Sequence, residues 1–130
     1  MSGTLYFGPG PGASWPLTIT AVEAALQQRF PSARFVHRTM PTNQQPYLRF
    51  ELDPGDGQTR KGTFGSNGML ALSEGTPEAW ADTIAWYLSL LPPATSVYAF
   101  VEKSPIDPSP MPQTVTSPDA IVTFLHSLEA

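Results

Sequence analysis

The sharpest hydrophobic alternation lies in Tyr47-Leu48-Arg49-Phe50-Glu51-Leu52-Asp53. Leu48, Phe50 and Leu52 face one side, and Tyr47, Arg49, Glu51 and Asp53 the other. That period of two predicts a strand with one covered and one wet face, hence an antiparallel sheet. Pro54-Gly55-Asp56-Gly57 predicts a turn, and Thr59–Phe64 the returning strand. Asn67-Gly68 predicts a second hairpin turn, with Met69–Leu72 as the next strand. Ala33–Arg38 alternates upstream of this meander, with Phe35 and His37 on one face and Arg34, Val36 and Arg38 on the other. Thr4–Phe7 is a short strand. Ser96–Glu102 is apolar on both faces, which predicts a strand inside the sheet.

Helical spacing is strongest in Thr76–Leu91. Thr76 suits the N-cap, Pro77 the first helical position, and Glu78 and Asp82 the positive end of the dipole; Pro92 and Pro93 stop the helix. Trp80, Ile84, Tyr87, Leu88 and Leu91 form one stripe. Trp86, Leu90 and Ala79 form a second strip, which is buried against another helix or, through Trp86 and Leu90, exposed as a partner site. Thr20–Phe30 predicts a first helix, with Thr20 and Glu23 as a capping box and Val22, Ala25, Leu26 and Phe30 inward. Ser117-Pro118-Asp119 opens a last helix with Ile121, Phe124, Leu125 and Leu128 inward. Residues 104–118 hold five prolines and predict an extended surface segment.

The order β-α-β-β-β-β-α-β-α predicts an α+β fold: an antiparallel or mixed sheet of five to six strands with three helices, mainly on one face. The order has a ferredoxin-like character with an added hairpin. At 130 residues and 41% hydrophobic content, residues 1–130 make a single domain, with 104–118 inside it. No cysteine is present, so disulfide and thiolate chemistry are excluded. The N-terminus lacks a signal-peptide pattern and no apolar run reaches membrane-spanning length, so a cytoplasmic protein is expected. The net charge is −4 but uneven: six Lys or Arg against four Asp or Glu through Lys61, giving +2, then one against seven, giving −6. Acidity argues against a general nucleic-acid partner and, in the second half, suits a basic protein partner.

No stretch carries a catalytic motif. GPGPG after the first strand lacks the GxGxxG spacing and a following Lys-Ser/Thr pair. Phe64-Gly65-Ser66-Asn67-Gly68 reads as a turn rather than a nucleophile elbow. Glu51 and Asp53 are expected to pair with Arg60 and Lys61 across the hairpin rather than to act as an acid/base couple. His37 and His126 sit on separate elements without metal-ligand spacing, and no metal or cofactor is expected. Pro105-Ile106-Asp107-Pro108 matches PxxP without basic neighbours. Arg34, Arg38, Arg49, Arg60 and Lys61 are basic positions, several of which share the open sheet face with Tyr47; Glu51 and Asp53 interrupt them, and the aromatic spacing of RNA-binding sheets is absent.

In size, acidity, absence of cysteine and element order, the chain resembles the small immunity proteins that accompany bacterial toxins. Its Ala, Pro and Gly content is similar to that of uncharacterised α+β proteins of GC-rich bacteria. The resemblance implies a non-enzymatic protein-binding module that neutralises a basic partner, and transfers no site residue. The expected contact surface is Trp86 and Leu90 with Asp82, Glu78 and Glu74, joining charge steering to an aromatic anchor. The alternative is a small-molecule-binding protein or enzyme with a pocket between the sheet and the Gly/Pro loop 8–16, which holds Trp15. A homodimer through a strand edge or the Trp86 strip is a third arrangement.

Overall fold

A computed structural model describes residues 4–10, 12–55, 57–66, 68–104 and 106–129. Its described elements are β1 (Leu5–Gly8), α1 (Ile19–Arg29), β2 (Arg34–Thr39), β3 (Pro46–Leu52), β4 (Arg60–Gly65), β5 (Leu70–Leu72), α2 (Pro77–Leu88), β6 (Tyr98–Val101), β7 (Ser109–Pro110) and α3 (Pro118–Ser127). The strands form a seven-stranded sheet in the order β2-β3-β4-β5-β1-β6-β7. Every pairing is antiparallel. The fold is α+β with three helices, and its strand count exceeds the expected five to six.

The meander β2 to β5 follows the sequence reading. Leu48, Phe50 and Leu52 are buried with Phe64, Leu70, Leu72, Leu5, Phe7, Ala99 and Val101 on one face of the sheet. Val22 and Leu26 of α1, Trp80, Ile84 and Tyr87 of α2, and Ile121 and Leu125 of α3 close the same core. The added strand is β7, within the proline-rich segment. Met111 follows it, buried, and donates its N–H to Val97 C=O at 2.8 Å. Pairing on β6 therefore brings part of 104–118 into the fold. Pro110 suits this position because an edge strand tolerates a missing N–H.

All three helices begin on a hydroxyl cap. Thr76 Oγ1 accepts from Ala79 N–H, and Ser117 Oγ from Ala120 N–H, both at 3.2 Å. For α1 the cap is Thr18, which accepts from Ala21 N–H at 3.1 Å. The Thr20–Glu23 capping box is therefore corrected: the helix starts two residues earlier, and Glu23 bonds to His37 instead. Starting at Ile19 adds one more apolar side chain against the core.

Among the described residues of the 54–57 turn, Asp53 Oδ1 accepts from Gly55 N–H at 2.8 Å and Gly57 N–H at 3.1 Å. Asp53 thus caps its own turn, and the expected cross-strand pairing of Asp53 is replaced by this local one. Asp56, Asn67 and Pro105, named in the turn and PxxP readings, lie outside the described residues.

Candidate functional site

Of the five residues expected to form a partner surface, Glu78, Asp82 and Trp86 lie on α2 and Glu74 in its approach, while Leu90 lies in the turn after it, because the helix ends at Leu88 rather than Leu91. Glu78, Asp82 and Trp86 follow each other at four-residue steps, so they make a slowly winding row on the helix that Leu90 continues in the turn beyond it. Trp86 is half-buried. Its ring meets Phe30 edge-on with centroids 5.9 Å apart. The Arg29 guanidinium lies 5.3 Å above it. A small cleft of about 310 Å³ remains there, lined by Ala25, Gln28, Arg29, Trp86 and Leu90. The second strip is therefore packed against α1, with a cation at its centre.

The acidic end of the row is divided. Glu78 Oε2 accepts from His126 Nε2 at 2.6 Å, and His126 Nδ1 lies 2.8 Å from Glu129 Oε2. The bond to Glu78, reinforced by Glu129, raises the His126 pKa above its ordinary value. The same bond, helped by one to its own backbone, lowers that of Glu78. Asp82 and Glu74 are exposed and pair with no cation among the described residues. The Glu74 side chain is separate from its backbone carbonyl, which accepts the Trp80 indole N–H.

Among the described residues the Gly/Pro loop encloses no pocket on the helix side of the sheet, while its Gly8 and Pro9 line a hollow on the opposite face. Trp15 is only 7% exposed. Its Nε1–H donates to Ser96 C=O at 2.9 Å, and its ring lies 6.1 Å from that of Tyr87. The space is filled by the loop's own tryptophan.

A concavity lies instead on the face of the sheet that carries no helix. The strand register places Val36, Arg49, Thr63, Ala71, Tyr6 and Phe100 in one transverse row. The central positions Thr63, Ala71, Gly65 and Gly8 are small, while Tyr47 and Met40 rise at one end and Tyr98 and Phe100 at the other. Small residues in mid-sheet between large ones make a trough. One hollow, about 870 Å³, is lined by Tyr6, Gly8, Pro9, Met69, Tyr98 and Phe100 among others. A second, about 520 Å³, shares Tyr6 and Met69 and reaches Met40 and Tyr47. Crossing from β3 to β6 takes four strand intervals, roughly 19 Å. Met40 and Met69 are 42% and 37% exposed, and Tyr6 and Phe100 touch with centroids 5.9 Å apart.

Loop 8–16, beside which the sequence reading sets its alternative pocket, borders the trough through Gly8 and Pro9, whereas the trough's aromatic residues on β6 escape that reading. The two apolar faces of Ser96–Glu102 point to interior burial on both sides, yet only Ala99 and Val101 are covered by helices. Of the five basic positions, Arg34, Arg38, Arg49 and Lys61 share the open face, whereas Arg60 pairs in register with core-facing Leu52. Glu51 lies between Arg34 and Lys61 in register, but among the described residues the expected Glu51 ion pair is not formed within 4 Å. His37 and Glu23 join β2 to α1 at 2.8 Å; only the fold brings them together. No helix is long and apolar enough to cross a membrane among the described residues. Comparison with protein-family models, with curated proteins and with solved structures gave no match.

Proposed function

We propose that this chain is a non-enzymatic protein-binding module that docks a partner polypeptide on the open face of its sheet. The observation behind this reading is the trough of Tyr6, Met69, Tyr98 and Phe100 on a face that an antiparallel sheet ordinarily keeps polar. Contiguous apolar surface of this kind marks an interaction site. Aromatic and methionine side chains suit a protein partner, since they supply most binding energy when desolvated and adapt to the surface they meet.

The test is capture of partners by the wild-type chain and by two variants checked for folding. Phe100→Asp places a charge in the trough, and Trp86→Ala with Asp82→Lys alters α2. A stoichiometric partner lost in the first and kept in the second supports the trough. No partner bound at micromolar concentration sinks the reading.

A second reading has its own observation. Asp82 and Glu74 are exposed acids without cation partners, and they support docking of a basic, immunity-type partner on α2. Arg29 over Trp86 weakens it, because a basic partner must approach that cation. The same experiment separates the two: loss of the partner only in the α2 variant favours the immunity-type role.

A further inference from the structure

Strand β2 is the outer edge of the sheet, and all of its residues but Phe35 are exposed. Its backbone direction follows from the hairpin. Met40 N–H donates to Gln45 C=O at 2.8 Å, so that pair belongs to the bonded set. Bonded and non-bonded pairs alternate along an antiparallel ladder. In the register Arg34–Glu51, Val36–Arg49 and Arg38–Tyr47, the even-numbered residues of β2 therefore turn their N–H and C=O toward β3. Phe35, His37 and Thr39 turn theirs outward. The Thr39–Pro46 pair agrees, since Pro46 has no N–H to give. A run of alternating donors and acceptors thus stands open along the edge.

The side chains of this edge on the open face are mainly basic. Strand β2 carries Arg34 and Arg38 there, with Arg49 across from Val36 and one acid, Glu51, across from Arg34, while His37 on the other face is held by Glu23. Arg34, Arg38 and Arg49 form no ion pair among the described residues. We propose that β2 accepts, by strand addition, an extended acidic segment of a partner protein. In an antiparallel addition, two carboxylate side chains four residues apart meet Arg38 and Arg34, and an apolar side chain between them meets Val36, which is 44% exposed. The backbone supplies affinity and the charges supply register and selectivity.

Two other occupants fit less well. A second copy pairing through β2 must match outward-facing residues. If Phe35 lies opposite His37 of the copy, Arg34 faces Arg38 twice. If His37 lies opposite itself, Arg38 sits beside Val36 and no acid enters on either strand. A single-stranded nucleic acid would want cations along its whole path, but between Lys61 on β4 and Lys103 beyond β6 the open face carries none, and Glu102 and Pro108 flank that lysine. The edge and the trough are separable, so the inference stands whether or not the trough is filled.

The test uses a capped, fluorescein-labelled heptapeptide, Thr-Glu-Thr-Val-Thr-Glu-Thr, titrated into the full chain by anisotropy, with amide spectra of the labelled protein. The expected result is binding that weakens with salt and shifts the amides of Phe35, His37 and Thr39. His37→Pro removes one outward N–H and no bond to β3, and weakens binding about tenfold or more, whereas His37→Ala stays within about threefold of wild type. Phe100→Asp leaves this binding unchanged, which keeps the edge distinct from the trough. Should His37→Pro not fold, Arg34→Glu with Arg38→Glu replaces it, and the preference turns to the peptide with Lys in place of Glu. Equal binding of the Glu and Lys peptides by the wild type overturns the proposal. So does undiminished binding by His37→Pro, a dimer that this variant dissolves without any peptide binding, or displacement of the peptide by oligothymidylate.

Discussion

His126 Nε2 lies 2.6 Å from Glu78 Oε2, and this bond ties the last turn of α3 to the first turn of α2. The two groups titrate in opposite directions. The raised His126 pKa means that its contribution is complete below the ordinary value of 6.5 and is lost as pH rises through the folded value. The lowered Glu78 pKa means that its contribution is complete above 4.5 and is lost as pH falls through the folded value. The clamp is therefore strongest between about pH 4.5 and 6.5. Both side chains are well exposed, so the effect is small. We expect His126→Ala to lower the melting temperature by about 1–3 °C at pH 5.5 and by less at pH 8, measured in low salt. An equal loss at both pH values would show that the clamp is not ionic.

The hydroxyls of Thr83 and Tyr87, one turn apart on α2, are buried without a hydrogen-bond partner among the described residues. Burial also pushes the Tyr87 phenol far up from its ordinary value. An unsatisfied buried hydroxyl costs about 1–3 kcal/mol. Tyr87→Phe and Thr83→Val remove the polar atom and keep most of the shape. Both are expected to leave stability unchanged or raise it by up to about 1 kcal/mol in urea denaturation. Clear destabilisation would reveal a buried water bridging the two groups.

Trp15 plugs the space between its loop and α2, where it packs on Tyr87 and holds Ser96 C=O. Trp15→Ala removes a large buried ring and is expected to cost about 3–5 kcal/mol. Trp15→Phe keeps apolar volume and loses the bond, at a cost of about 1–3 kcal/mol. Denaturant midpoints of the two variants give the difference.

Gly62 in β4 lies under the Phe50 ring. A Cβ there would stand 2.5 Å from that ring and 2.9 Å from the Ala71 carbonyl oxygen. Gly62→Ala therefore overpacks the sheet, with an expected loss of about 1–3 kcal/mol. Adding Phe50→Leu should recover part of it, as thermal melts of the single and double variants will show.

The elements legible in the sequence are those fixed by near neighbours. Thr76-Pro77-Glu78 and Ser117-Pro118-Asp119 announce helix starts because a cap acts within three residues. Leu48, Phe50 and Leu52 announce a strand because alternate side chains share a face. Thr18 and Thr20 offer two caps two residues apart, and only packing of Ile19 against the core chooses between them. Strand β7 escapes because two residues, one of them proline, carry no pattern. The His126–Glu78 clamp spans 48 positions, and no local spacing hints at it. The trough was obscured for a related reason: Tyr6, Met69 and Phe100 become neighbours only once β1 is set between β5 and β6.

Strand β7 ends the sheet in a way that matters for assembly. Only two residues long and finished by Pro110, it offers no ladder on which another chain can continue. With one side sealed and the other open, the sheet behaves as a chain terminator. A further strand can enter only at β2, so copies of this chain cannot join β2 to β7 in an open-ended filament.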